Sequence, residues 1–476
     1  MKKIISVLLC VIMAVAGMSL AACTPDGGDP NGGFETTGEL IKDENGNIVY
    51  DDVIIRLTTV VTGEDKDTLQ NLVGRFNREY KNKITVTMTG IGESTFEADV
   101  SRQLVNNNNP PDFIMSHQEG LKSLADVKLI QPLENIMNVS GIRFEMSDYA
   151  NALSQYAYLG TDTLYSVPSD AQSVMVLYNK DVLKACGYDK LPENHDELVA
   201  LCTAAKNQNY TPIAWSTSFE QFQSYVFVTA LLQNGAELYN PNGYRAEWVS
   251  NPQNKKAFEN TMQSIRDLTN VSPADDTTAN ILNMFLNNEA LFYVAAPWNM
   301  SSVLTAYINN NKDLGIESVD NLAEHIGGTS MANWFALDKT ATYANVIYGD
   351  AHFFAMTKAV TDVTKKAAIL EFIKWFTQNS SISATWGETG HISLYSSTIE
   401  SAEYNANAYI KNYVTKFYPD INNFRCTGST PYFKDLRTYL GQIIITALNK
   451  TNTLDDGSIM KYNQDKYNEQ VDFSNM

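Results

Sequence analysis

The chain has 476 residues, a formal net charge of −19 and 44% hydrophobic residues. One hydrophobic core does not organise a chain of this length, so the sequence predicts two domains. Charged residues make up 19% of the chain, which is typical of a folded soluble protein and not of a disordered one. The acidic excess argues against nucleic acid and anionic lipid surfaces as partners.

The first 22 residues have the pattern of an export signal. Two lysines precede an apolar run over residues 4–20, and small residues precede Cys23. The Leu-Ala-Ala-Cys sequence resembles a bacterial lipobox, in which the cysteine is acylated and the cut falls just before it. We therefore expect residues 1–22 to be a signal peptide and Cys23 to be lipidated. A transmembrane helix, cleavage without acylation and a buried helix are the alternatives.

Residues 23–50 are predicted to be a flexible, lipid-anchored tether, because glycine pairs and a proline interrupt them. Asp43, Asn45 and Asn47 have the spacing of calcium ligands, but Ile48 occupies the position that needs glycine. The sequence therefore favours a plain turn at this point.

Three cysteines remain after Cys23, and their number and spacing do not indicate a disulfide framework. Cys186 and Cys202 lie at apolar positions of helical patterns, which predicts buried thiols. We assign no metal to Cys186, Cys202 or Cys426.

The body begins with an alternation of strands and helices. The pattern predicts strands at Val53–Leu57, Ile84–Met88 and Asp112–Ser116. Apolar residues at helical spacing predict helices over Glu64–Tyr80 and Thr95–Val105. Strand, helix, strand, helix, strand is the signature of a parallel sheet covered by helices, so the fold class is α/β.

Several motifs in order along the chain carry a family resemblance. They are Tyr165-Ser-Val-Pro168, Leu177-Tyr-Asn-Lys-Asp-Val-Leu183, Leu191-Pro-Glu-Asn-His-Asp-Glu-Leu198, Ala290–Trp298 and Trp386–Ser393. Together they resemble the extracellular solute-binding proteins of ATP-driven sugar importers, which are similar to the maltose-binding protein (family 1). Two positions depart from the family pattern, since Ala296 and Ser393 stand where glycine and proline are usual.

The resemblance implies two α/β lobes joined by hinge crossovers, with a ligand in the central cleft. Lobe one would combine residues 51–172 with 354–392, and lobe two would combine residues 173–353 with 394–476. The chain would cross between the lobes near Ser173, near Ala351–Ala355 and near Ser393–Ser397. The periodicity of the sequence supports parallel-sheet lobes but does not place these crossings.

Motifs of catalysis are not evident in the sequence. It contains no Gly-x-Ser-x-Gly, no His-Glu-x-x-His and no phosphate-binding glycine loop. The five histidines do not have metal-ligand spacing, so we predict no metal and no cofactor. A pair of carboxylates for glycoside hydrolysis stays open, because the chain has 54 acidic residues.

A sugar-binding cleft needs aromatic rings that stack on C–H faces and polar groups that bond hydroxyls. Trp298 lies where a strand ends and a helix begins, and the resemblance also implies a stacking tryptophan there. Trp215 follows a strand-like segment in the same way. Core packing is the alternative for each aromatic residue.

Polar candidates for ligand binding occur at the crossings and strand ends. Asp170 precedes the first crossing and would accept hydrogen bonds from hydroxyl groups, with a surface turn as the alternative. His117 follows the third strand, with helix capping or a surface position as the alternative. The remaining candidates flank the second crossing or begin the first helix: Asp350, His352, Gly63 and Glu64.

The sequence thus predicts a binding protein, not an enzyme. It would capture a carbohydrate, in particular an oligosaccharide, and deliver it to the permease subunits of an ABC transporter. The protein would be a monomer, anchored through Cys23 on the extracytoplasmic face of a bacterial membrane. The alternatives are a surface-anchored carbohydrate-active enzyme and the same fold with a peptide or polyamine as ligand.

Overall fold

The computed structural model describes residues 33–106, 109–216, 222–274, 277–428, 430–449, 452 and 454–474. The predicted signal peptide and Cys23 therefore lie outside the described residues.

Strands of three sheets form the framework of the fold. They are β1 (Val53–Thr59), β2 (Ile84–Gly90), β3 (Phe113–His117), β4 (Ser166–Gln172), β5 (Met175–Asn179), β6 (Thr211–Ala214), β7 (Ala290–Ala295), β8 (Ile326–Thr329), β9 (Ile347–Tyr348), β10 (Asp350–Met356), β11 (Ile392–Ser393) and β12 (Phe424–Arg425).

Helices cover these sheets. They are α1 (Lys66–Glu79), α2 (Phe96–Asn106), α3 (Gln118–Asp126), α4 (Glu134–Ser140), α5 (Asn151–Ser154), α6 (Lys180–Ala185), α7 (His195–Asn207), α8 (Phe227–Gln233), α9 (Pro252–Val271), α10 (Thr278–Leu286), α11 (Met300–Asn310), α12 (Val319–His325), α13 (Val363–Gln378), α14 (Ser380–Gly387), α15 (Ser396–Glu400), α16 (Ala402–Ala406), α17 (Thr415–Phe417), α18 (Phe433–Leu448) and α19 (Asp456–Ser474). Short 3₁₀ turns include Glu93–Thr95 and Pro297–Asn299, and a π-helical turn, Phe222–Val226, precedes α8.

The larger sheet has six strands in the order β11-β4-β10-β3-β1-β2. Strands β2, β1 and β3 are parallel, as the sequence predicted, because α1 and α2 are the crossover connections between them. Strand β10 runs antiparallel to both β3 and β4. Its central position brings residues from distant parts of the chain into direct register.

The smaller sheet has four strands in the order β6-β7-β5-β8. Strand β5 follows β4 after two residues but belongs to this second sheet, so the chain passes from one sheet to the other at Ser173 and Val174. It returns at β10, which pairs in the larger sheet from Asp350 onwards. The lobe prediction gave residues 350–353 to the second lobe, whereas strand pairing places them in the larger sheet.

Local sequence explains which face of α1 is buried and where several other helices begin. In α1, Leu69, Leu72, Val73 and Phe76 share a face and are buried against the larger sheet. Asparagine side chains cap α6, α7 and α9 at Asn179, Asn194 and Asn251 by accepting hydrogen bonds from backbone N–H groups of the first turn. Both sheets therefore carry helices whose apolar faces pack against them. One of the two buried cores extends from the larger sheet to one face of the smaller sheet, through Met175, Leu177 and Tyr293.

Residues 33–50 are docked on the body, which the prediction of a tether over residues 23–50 did not foresee. The backbone of Thr37 donates to the carbonyl of Thr361 and accepts from the N–H of Val363, each at 2.9 Å. The Nζ atom of Lys366 donates to the carbonyl of Glu35 at 2.8 Å. The predicted turn at Asn45-Gly46 is present, since the Gly46 N–H donates to the carbonyl of Asp43 at 2.9 Å.

Candidate functional site

The two sheets meet where the chain crosses between them. A Cβ atom on Gly349 would stand 2.1 Å from the carbonyl oxygen of Gln172, so only glycine allows this approach of the two crossing segments. The Ser173 hydroxyl donates to the carbonyl of Tyr348 at 2.6 Å, and its N–H donates to the Tyr418 hydroxyl at 2.8 Å. These contacts fix the hinge side of a cleft between the sheets.

The indole of Trp298 lies at a second contact between the two lobes. Trp298 follows β7 in the 3₁₀ turn before α11, as predicted, and its side chain is half-buried. A Cβ atom on Gly63 would stand 3.1 Å from Cδ1 of this indole. The hydroxyl of Ser302 donates to the carboxylate of Glu64. Three of the predicted site residues therefore lie together at this contact.

A pocket of about 700 Å³ has residues of both lobes in its walls. Glu93 and Ser94 come from the segment that follows β2, whereas Phe433 and Arg437 come from α18 and Gln223 from the turn before α8. Its walls are mainly polar side chains that can accept or donate hydrogen bonds. The volume is that of a small-molecule site.

Arg437 is the centre of a charged cluster at the base of this pocket. Its Nη1 atom lies 2.8 Å from Oε1 of Glu93, 3.4 Å from Oε2 of Glu119 and 4.0 Å from Oδ2 of Asp350. Burial, together with the charge of Asp350, raises the pKa of Glu119 to about 7. The hydroxyl of Tyr348 donates to Oε1 of Glu119 at 2.8 Å.

His117 and Asp350, both predicted site residues, are paired beside this cluster. Nδ1 of His117 lies 2.6 Å from Oδ2 of Asp350. Burial alone would lower the pKa of His117, but the carboxylates of Asp350 and Glu93 outweigh it and raise the pKa to about 10. His117 is therefore an imidazolium that compensates two carboxylates, and it does not cap a helix.

Asp170 and His352 form a second pair that is buried in the larger sheet. Nδ1 of His352 donates to Oδ1 of Asp170 at 2.9 Å, and Nε1 of Trp386 donates to Oδ2 at 2.7 Å. Burial would raise the pKa of Asp170, but the imidazoles of His352 and His391 and these hydrogen bonds hold it below its usual value. The side chain of Asp170 is fully buried, so the predicted contact with a ligand stays a prediction that its packing does not favour.

Trp215 is packed in the core of the smaller sheet. It is 1% exposed, its Nε1 donates to the carbonyl of Ser272 at 3.0 Å, and its ring packs edge-on against Phe222. A ring covered on both faces has no surface for stacking on a sugar. The alternative of core packing therefore describes Trp215, and we do not carry it into the site.

Reasoning from the sequence missed Glu93, Glu119 and Arg437. Glu93 follows the end of β2, so the same strand-end argument that selected His117 could have found it. Glu119 lies in the first turn of α3, two residues after His117. Arg437 carried no signal, because it lies within a long helix near the end of the chain and reaches the cleft only through the tertiary structure.

These features define a two-lobed α/β binding protein with its pocket between the lobes. The profile of the family described as "Bacterial extracellular solute-binding protein" matches residues 62–381, which is more than half of the chain. The chain belongs to that family. The predicted resemblance and the predicted fold class are thus confirmed.

Known proteins similar to this chain include the sugar-binding protein MalE of Xanthomonas citri, with a TM-score of 0.69 and 15% identity over 89% of this chain and 98% of that one. UgpB of Mycobacterium tuberculosis, solved with glycerophosphocholine, has a TM-score of 0.68 and 14% identity over 89% and 99%. The sn-glycerol-3-phosphate-binding periplasmic protein UgpB of Shigella dysenteriae is 29% identical over 129 residues. That match spans 27% of this chain and 29% of the relative. Over the described residues, no helix has the length and hydropathy needed to span a membrane.

Proposed function

We propose that this chain is an extracellular receptor that captures a carbohydrate in the cleft and delivers it to the permease of an ABC transporter. The observation that carries this proposal is that an aromatic ring and a polar pocket both lie between the lobes. Trp298 offers a half-buried aromatic ring beside Gly63, and the pocket around Arg437 offers donors and acceptors. An aromatic ring and fixed polar groups together suit a ligand with C–H faces and many hydroxyl groups.

The charged pairs in the pocket favour a neutral sugar over a phosphate ester as the ligand. The name of one relative and the bound molecule of another point to a glycerol phosphate group. The cations of this pocket are already paired, since Arg437 contacts Glu93 and Glu119, and Lys434 contacts Glu97. A phosphate would have to displace paired carboxylates, of which Glu119 is buried, whereas neutral hydroxyl groups can bond to the same pairs without loss of charge balance. These contacts favour a neutral polyol such as a saccharide.

Transport also requires that the receptor stays near its permease. The lipobox-like sequence at Cys23 supports attachment of a monomer to the outer face of the membrane by one acylated cysteine, with residues 1–22 removed. Closure of the lobes about the crossings near Ser173 and Gly349 would present a joint surface to the permease.

A calorimetric titration tests the ligand class. The panel contains mono- and oligosaccharides, glycerophosphocholine, sn-glycerol 3-phosphate and spermidine. We expect a saccharide to bind and to raise Tm by mass action. Binding of spermidine or of a phosphate ester without any saccharide would overturn the proposal, and turnover of a chromogenic glycoside would favour the carbohydrate-active enzyme instead.

A further inference from the structure

Three of the five histidines of the chain lie together on one face of the larger sheet. His352 of β10 is directly opposite His117 of β3 on one side and Asp170 of β4 on the other. Asp170 is in turn opposite Ser393 of β11. His391 lies two residues before Ser393. Directly opposed residues of antiparallel strands point to the same face. Three neighbouring strands therefore direct an aspartate and two histidines towards one point.

The hydrogen bonds of His391 fix its tautomer. The hydroxyl of Thr389 donates its proton to the carbonyl of Trp386 at 2.5 Å, so its oxygen accepts from Nδ1 of His391 at 2.7 Å. Nδ1 then carries the proton, and Nε2 carries a lone pair. Nε2 is fully buried, has no hydrogen-bond partner among the described residues, and lies 3.8 Å from Oδ2 of Asp65. This orientation is the one found in histidines that bind metals.

Among the described residues, neither Asp170 nor Asp65 has a lysine or an arginine as an ion-pair partner. Asp170 is fully buried and its ion-pair partner is the imidazole of His352. Asp65 is 5% exposed and faces His391. Two buried carboxylates next to two imidazoles need positive charge, which either protons or a metal ion can supply.

We propose that Asp170, His352 and His391 bind a divalent transition metal of the zinc type, with Asp65 as the fourth ligand. One ligand atom of each of the first three residues lies within 4.8 Å of the other two. A tetrahedral ion with bonds of about 2.1 Å needs ligand atoms roughly 3.4 Å apart. Oδ1 of Asp170 and Nδ1 of His352 are 2.9 Å apart, so these two atoms would separate by about half an ångström when the ion replaces the shared proton. The other ligand atoms, which lie within 4.8 Å of one another in the group of three and 3.8 Å apart for Asp65 and His391, would move closer to the ion.

The donor set argues for zinc and against calcium or magnesium. Imidazole nitrogens with carboxylates suit zinc and its neighbours in the first transition row, whereas calcium and magnesium prefer oxygen ligands alone. Trp386 would hold the second oxygen of Asp170, and Thr389 would orient His391, as outer-shell partners do in zinc sites.

Such an ion would join the two segments that contact the Trp298 region. Asp65 lies two residues from Gly63, which touches the indole, and His391 follows Gly390. A Cβ atom on Gly390 would stand 2.4 Å from the carbonyl oxygen of Pro297. The proposed zinc site is separate from the proposed capture of a carbohydrate, because the ion would lie beneath the segments that contact Trp298.

Metal analysis of the tag-free protein tests the proposal. The protein is stripped with EDTA and titrated with ZnCl₂, and we expect one zinc ion per chain. His391→Gln and Asp65→Asn should each weaken zinc binding at least tenfold, with circular dichroism as the check on folding. His325→Gln is the matched control, because His325 is half-buried on α12 and pairs with Asp181 at 2.7 Å, away from this face. Cobalt in place of zinc should give the visible absorption of a tetrahedral nitrogen–oxygen site.

Two results would overturn the proposal of a zinc site. One is a folded wild-type protein that binds less than a tenth of an equivalent of zinc at micromolar concentration. The other is equal zinc binding by the wild type and by a folded His391→Gln variant. Saccharide binding is measured separately on the stripped protein, so failure of the metal site and failure of the proposed function give different results.

Discussion

The indole of Trp298 lies so close to Gly63 that a Cβ atom at position 63 would stand 3.1 Å from Cδ1 of the ring. Gly63 lies in the loop between β1 and α1, and Trp298 lies in the 3₁₀ turn before α11. The contact therefore joins the two lobes. A side chain at residue 63 would therefore require the tryptophan to move by a few tenths of an ångström.

Replacement of this glycine should weaken ligand binding. We expect Gly63→Ala to lower saccharide affinity about tenfold, because the added methyl group displaces Trp298 or Asp65, whose Oδ1 would also be 3.1 Å away. Calorimetry measures the change. Gly74→Ala in α1 is the control, since its nearest contact would be an ordinary 3.5 Å to Arg78, and it should leave affinity unchanged. Equal affinity of wild type and Gly63→Ala would contradict a role for this contact.

Substitution of Trp298 should lower saccharide affinity, whereas substitution of Trp215 should lower the stability of the fold. Trp298→Ala removes the half-buried ring, so we expect at least a tenfold loss of saccharide affinity and a small change in Tm. Trp215→Phe removes a buried hydrogen bond to Ser272 and leaves space in the core, so it should cost about 1–3 kcal/mol of stability and spare affinity. Titration and thermal denaturation of both variants check this. A cationic ligand held by carboxylates alone would instead survive Trp298→Ala.

Glu119 should make stability depend on pH in a defined window. Its pKa is about 7 in the folded protein, as a result of burial and of Asp350, and 4.5 is its usual value. Between pH 4.5 and 7 the folded chain then binds more protons at this group than the unfolded chain, so its contribution to stability is present below pH 4.5 and is lost as pH rises to 7. The loss is on the order of 3 kcal/mol.

The difference in unfolding free energy between wild type and Glu119→Gln isolates the contribution of Glu119 from those of other groups that titrate between pH 4.5 and 7. Glutamine still accepts from Tyr348 and cannot titrate. Urea denaturation at pH 4.5 and pH 7 should show that wild type loses stability relative to the variant as pH rises. A constant difference across this window would mean that the glutamate titrates near its usual value.

Cys23 should control location without affecting the cleft. We expect Cys23→Ala to abolish metabolic labelling with a fatty acid and to leave the protein unprocessed or to release it from the membrane. Saccharide affinity should equal that of wild type. Ser19→Ala, four residues earlier in the predicted signal, is the control and should be labelled normally. A lower affinity of Cys23→Ala would show that anchor and receptor are not independent.

The sequence by itself determined the fold class and the first half of the larger sheet. Periodicity over Glu64–Tyr80 and the neighbouring strands is a local property, and β1, α1, β2, α2 and β3 occur where it predicts them. It also placed Trp298 at the end of β7 and at the start of a helix, since strand ends and turns are set by nearby residues.

Only the tertiary structure decided which polar residues meet. His117, Asp170, His352 and His391 are spread over more than 270 positions and have no regular spacing, so a search for metal-ligand spacing along the chain found nothing. The antiparallel register of β10 between β3 and β4 brings three of them into one row. Arg437 reaches Glu93 and Glu119 in the same way, through the packing of α18 across the cleft. The pairing of distant strands depends on global packing, which a local pattern does not encode.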